Sequence, residues 1–275
     1  MPTADAEKMS YTLWFACKHL IKNVKRVRLG VTKDSGVRLP QEIVDYIVDY
    51  ISDDRPTLFA CTRLSRTWCK SARKYLYRTF TATDSAGFKA VDDLRAVWVI
   101  PLVRTVVVAR KVNQAEFLLH PRTLMHLSEF EHIQELDLKD LDVGELVLGL
   151  HTRCDTLKST VRSLTLRYPT GSVKRIIWFI SLFSHLENLA VDSINTVVSD
   201  DYQVPVIESS PPLTGRLRLS GISDQEFIRN LFSMQNGVRF RTVDQRFCRE
   251  VQEIIDGCAG TMERLIWHSS DSLGT

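Results

Sequence analysis

Residues 133–138 read Ile-Gln-Glu-Leu-Asp-Leu, residues 161–166 Val-Arg-Ser-Leu-Thr-Leu, and residues 186–191 Leu-Glu-Asn-Leu-Ala-Val. In each, the last three residues alternate apolar, variable, apolar. A strand sends successive side chains to opposite faces, so both apolar residues fall on one side and the residue between them on the other. The copies lie about 25 to 30 residues apart, a period that fits one strand and one helix per unit. Such a unit buries its apolar edges only against its neighbours, which predicts a stack.

The pattern continues on either side. Val103–Val108 is a blurred earlier copy, Leu217-Arg-Leu219 and Met262–Trp267 are later ones, and Val238-Arg-Phe240 is a degenerate one. Helical spacing falls between them: Leu146, Val147 and Leu150 in 143–157; Val173, Ile176, Ile177, Ile180 and Phe183 in 172–183; Phe227, Ile228, Leu231 and Phe232 in 224–234; Val251, Ile254 and Ile255 in 247–258. Ser223 or Asp224 is suited to cap the third of these. The fold class is therefore α/β, with a curved parallel sheet inside and helices outside. A plain α/β domain of four or five parallel strands is the alternative. Residues 197–215, with paired prolines, serines and acids, are expected to form a surface loop, a candidate for contacting a target.

Upstream, residues 39–80 read LPQEIVDYIVDYISDDRPTLFACTRLSRTWCKSARKYLYRTF. Ile43, Ile47 and Ile51, flanked by Val44 and Val48, give an apolar face at helical spacing. Pro40 suits a first turn, and Pro56 disfavours helix at the residue before it. A second helix carries Leu58, Phe59, Cys61 and Leu64. Ser65 is placed to cap a third, with Trp68, Ala72, Tyr75 and Leu76 about a turn apart. Three short helices around so small a core, in roughly 40 residues, sit where isolated domains need support from elsewhere. Packing against the rest of the same chain would supply that support as well as a partner would.

Composition narrows the function classes. At 44% hydrophobic and 25% charged residues the chain is globular in type, and its net charge of +3 demands neither nucleic acid nor an anionic membrane. The six cysteines are scattered without a CxxC pair, which points to reduced thiols and an intracellular setting. No apolar run approaches the roughly 18 residues of a membrane span. Phosphate-cradling, zinc-protease and serine-hydrolase motifs are missing, and the seven histidines do not pair at ligand spacing. No cofactor or metal is expected. Residues 1–36 are basic from Lys18 onward and read as a partly disordered segment or short helix, either a solvated lead-in, a nuclear-import signal or a membrane-surface helix.

The 39–80 segment resembles the F-box in the order and spacing of Leu39-Pro40, the Asp-Asp-Arg-Pro turn, Leu58, Arg66-Thr67-Trp68, Ala72-Arg73 and the closing Tyr75–Phe80. The remainder resembles an irregular, fungal-type leucine-rich-repeat region, although the repeat asparagine of regular families is missing. The resemblance implies 37–80 as F-box, 81–96 as connector and 97–275 as a substrate-binding repeat region. It further implies a non-catalytic receptor subunit of a Skp–cullin–F-box ubiquitin ligase, cytoplasmic or nuclear, joined through a Skp-type adaptor to a cullin–RING ligase. The expected adaptor contacts are Leu39, Pro40, Ile43, Ile47, Leu58, Cys61, Leu64 and Trp68. The residues alternating with the repeat leucines should face the concave surface, and among them Asp137, Thr165, Arg167, Asp192, Arg216 and Arg218 are the candidate target contacts. Two other functions stay open: a helix-turn-helix nucleic-acid reader using Arg63, Arg66, Lys70, Arg73, Lys74 and Arg78, and a repeat scaffold in which the helices are only a cap.

Overall fold

The computed structural model describes residues 39–83, 98–110, 129–143, 155–196, 213–222, 224–234, 238–246 and 260–268, with single positions 127, 146, 254, 256 and 258 between them. The expectations for 1–36, for most of 81–96, for the loop over 197–212 and for most of the helices at 143–157 and 247–258 lie outside the described residues. The chain divides into two compact units, Met1–Tyr46 and Ile47–Thr275.

Among the described residues three short helices come first: α1 (Gln41–Tyr50), α2 (Arg55–Cys61) and α3 (Arg66–Leu76). Local chemistry sets their starts. Asp54 caps α2 by accepting the Thr57 N–H at 3.2 Å and the Thr57 hydroxyl at 2.6 Å, with Pro56 in the first turn. Ser65 caps α3 by accepting the Trp68 N–H. In α1 the buried residues are Val44 and Val48, four apart and so on one side of the helix. The α2 helix packs on α3. Tyr75 of α3 donates its hydroxyl proton to the Asp49 carboxylate.

Eight strands then form one parallel sheet: β1 (Thr79–Ala82), β2 (Thr105–Ala109), β3 (Glu135–Lys139), β4 (Ser163–Arg167), β6 (Asn188–Asp192), β8 (Leu213–Ser220), β9 (Val238–Arg246) and β10 (Arg264–His268). Their order in the sheet is their order in the chain. Two-residue strands β5 (Thr170–Gly171) and β7 (Asn195–Thr196) pair separately. The protein is thus α/β, and the seven strands expected from the hexapeptide pattern are all present. Strand β1 was not expected: Thr79–Ala82 had been assigned to a module end and a connector, and it pairs in register with β2.

One side of the sheet is core. Leu136, Leu164, Leu189 and Leu217 are neighbours in one row, and Leu138, Leu166, Val191 and Leu219 in the next. None of these eight is more than 3% exposed. The α4 (Asp155–Thr160), α5 (Val173–Ser181) and α6 (Gln225–Phe232) helices contribute to the same core through Leu157, Ile176, Phe179, Phe227 and Leu231, and α5 lies beside α6. Ile177 is partly buried against this core, and Trp178, not among the apolar positions expected from helical spacing, is buried in it. The described helix in this stretch runs from Asp155 to Thr160, one residue before the buried Val161.

Each unit repeats its backbone as well as its leucines. Asp140, Tyr168, Ser193 and Gly221 each follow a strand directly, and each has φ between 48° and 63°. The N–H groups of Asp140, Tyr168 and Ser193 donate at 2.8 Å to the last carbonyl of the next strand. At the other end, the Arg104, Gln134 and Arg162 carbonyls each accept two N–H groups from the following strand. Residues 213–215, expected to close the loop, instead begin β8. Gly215 (φ +92°) makes the bulge that shifts register between Gly215 and Arg216.

Candidate functional site

The face of the sheet opposite the core carries the polar alternation. Asp137, Thr165, Ala190, Arg218 and Asp244 stand side by side in one row across β3, β4, β6, β8 and β9. Arg167 and Asp192 are partners in the row above, and Asn188 and Arg216 in the row below. All six candidate target contacts therefore come together on one face. The alternation sets the face, and the in-register parallel pairing sets the rows.

Their electrostatics differ from an open, unpaired array. Arg167 meets Asp137 at 2.9 Å, Arg216 meets Asp244 at 3.1 Å, and Arg218 meets Asp192 at 4.0 Å. At the strand starts, Arg162 pairs with Glu187, Arg241 with Glu263 at 3.8 Å, and Arg78 with Glu135 at 3.6 Å. Most of these groups are half exposed, where solvent leaves a pair worth a few tenths to about 1 kcal/mol. Asp244 is the exception at 3% exposure, one of the few buried charges in the described chain. Sequence inspection missed it. The signal was present: two arginines alternating on β8 call for a carboxylate on the adjacent strand.

Asp137 is the perturbed group of the face. Burial pushes its carboxyl above the ordinary 3.8, Arg167 draws it back, Asp192 raises it further, and Arg218 and Lys139 lower it. Its Oδ1 is buried with no hydrogen-bond partner, while Oδ2 takes the Arg167 guanidinium.

The expected adaptor contacts separate into two groups. Pro40 and Ile43 are exposed, and Leu39, Ile47, Leu64 and Trp68 are half-buried. Leu58 and Cys61 are at 0% and 2% exposure, so neither lies on an outward surface. The reason is spacing. Three residues apart, they share the side of α2 that turns inward, and the neighbouring Phe59 is turned out at 54%. Sequence inspection also passed over Tyr46 and Tyr50. With Ile43 they lie three and four residues apart on one side of α1, and all three are exposed.

Among the described residues no group of three or more metal-ligating side chains gathers, and no helix is long and apolar enough to cross a membrane. Cys61, Cys69 and Cys258 are not in disulfides, and burial pushes the Cys258 thiol up to about 11. The chain matches no family model and no curated protein.

Proposed function

We propose that the chain is the substrate-receptor subunit of a Skp–cullin–F-box ubiquitin ligase, with α1–α3 as an F-box and the parallel sheet as an irregular leucine-rich-repeat region. The observation that carries the proposal is the apolar side of α1. A helix ten residues long, in a module of three short helices, leaves Ile43, Tyr46 and Tyr50 between 44% and 60% exposed. Exposed aromatic and aliphatic side chains grouped this way are what a protein interface covers. The repeat part of the proposal is supported by the chain-order parallel sheet and by the left-handed residue that follows strand after strand.

In this reading Leu58 and Cys61 hold the module together, while Pro40, Ile43, Tyr46 and Tyr50 meet the adaptor. The target lies on the polar face of the sheet. Because its arginines already hold carboxylates, target carboxylates exchange with internal ones, which favours selectivity over raw affinity. Covalent chemistry belongs to other subunits, and this chain contributes effective concentration.

The test is capture of a purified Skp-type adaptor by the full chain. An Ile43→Glu/Tyr46→Glu variant changes only exposed positions, so its circular dichroism should match the parent's. Adaptor affinity is expected to fall at least tenfold, about 1.4 kcal/mol. Full-strength capture by the folded double variant, or no capture by the parent, refutes the proposal.

A further inference from the structure

Arg167, Arg216 and Arg218 of the sheet face each meet a carboxylate of the chain, whereas a second group of cations, among the described residues, does not. A groove of about 610 Å3 beside α3 is lined by Arg63, Arg66, Lys70, Arg73 and Trp98, and among the described residues no carboxylate lines it. Arg66, Lys70 and Arg73 follow one another by four and three residues, so they share a side of α3 and span about 10 Å. Among the described residues none of the four cations has a carboxylate within ion-pair distance. Held this close without counter-charge, they repel one another, and an incoming anion relieves that repulsion.

The groove also has an apolar wall. Trp98 is held with the Arg73 guanidinium 4.5 Å from its ring centroid and with Tyr77 edge-on at 5.0 Å, yet remains 45% exposed. Leu102 lines the same groove, and Arg63 sits 6.0 Å over the exposed Phe59 ring. A single row of cations against an exposed indole suits a short chain of carboxylates that carries an apolar residue. It suits a duplex poorly, because tight duplex binding draws on phosphate contacts spread over a longer track. Asp49, Asp53 and Asp54 on the same module oppose a long polyanion.

We propose that this groove binds an acidic peptide segment of a partner protein, its carboxylates on Arg66, Lys70 and Arg73 and an apolar side chain against Trp98. The inference goes beyond adaptor docking through α1 and does not rest on it. The probe is a fluorescein-labelled Asp/Glu peptide of about twelve residues with one central Leu, titrated by anisotropy against the full chain. Arg66→Glu/Lys70→Glu alters exposed positions only and is expected to weaken binding at least tenfold. Trp98→Ala is expected to weaken it several-fold, and Lys174→Glu, an exposed cation on α5, to leave it unchanged. Equal affinity in the charge-reversed variant and the parent overturns the proposal. So does a duplex DNA that displaces the peptide and binds more tightly, with a steep salt dependence, which would make the groove a nucleic-acid site.

Discussion

Replacing Arg216 by Met tests whether the charges on the sheet face serve the fold. The Arg216 guanidinium lies 3.1 Å from an Asp244 carboxylate whose side chain is only 4% exposed, while its own is 54% exposed. At an effective dielectric near 20, two unit charges at that distance attract by about 5 kcal/mol. Much of this is offset by the half-exposed arginine's access to water and by Arg218, which neighbours Asp244 in the same row. Met keeps most of the aliphatic stem, so the loss is chiefly that of the counter-charge, and about 1–3 kcal/mol of stability should disappear. Asp244→Asn alone should cost a comparable amount. The double variant should lose clearly less than the sum, because no stranded carboxylate remains. Urea unfolding of the full chain followed by circular dichroism gives the four corners of the cycle. A single variant within about 0.5 kcal/mol of the parent, with additive corners, would refute the assignment of Arg216 to the fold.

Two further outcomes follow from single residues. Asp137, raised by burial, holds its proton in the folded chain at a pH where the unfolded chain has released it. The parent should therefore lose stability relative to Asp137→Asn as pH rises from 3.8 to the folded value, and the difference should stay flat above that. A carboxyl titration by 13C NMR at or below 3.8 would contradict this. For Gly215, a Cβ would sit 2.0 Å from the Glu187 carbonyl oxygen, which accepts the Arg216 N–H at 2.8 Å. Gly215→Ala should lower the melting temperature well beyond Gly260→Ala, where φ is +85° but nothing lies within 4 Å of the new carbon. Equal shifts would mean that the bulge relaxes freely.

How much was legible in advance depended on whether the cause was local. Leu136 and Leu138, or Leu164 and Leu166, announce a strand and its buried side within three residues, because pleating alone alternates side chains. The cap at Ser65, and that at Asp224 as one of two candidates, were legible for the same reason. Strand β1 was not, since Thr79–Ala82 buries only Ala82 on a face that β2 completes. The start of β8 inside an expected loop was hidden as well, because its pairing partner is Val238, 25 residues further on.

By itself the sequence determined that this is an α/β chain, which strand faces are apolar, and that three short helices precede the sheet. These depend on periodicity, on capping groups and on proline, all readable within a few residues. Only the tertiary structure decided that Leu58 turns inward and Phe59 outward, that Arg216 answers a buried Asp244, and that Arg66, Lys70 and Arg73 of α3 stand, among the described residues, without carboxylates. Each of those facts depends on which neighbour a side chain meets across the fold, and no spacing along the chain specifies that neighbour.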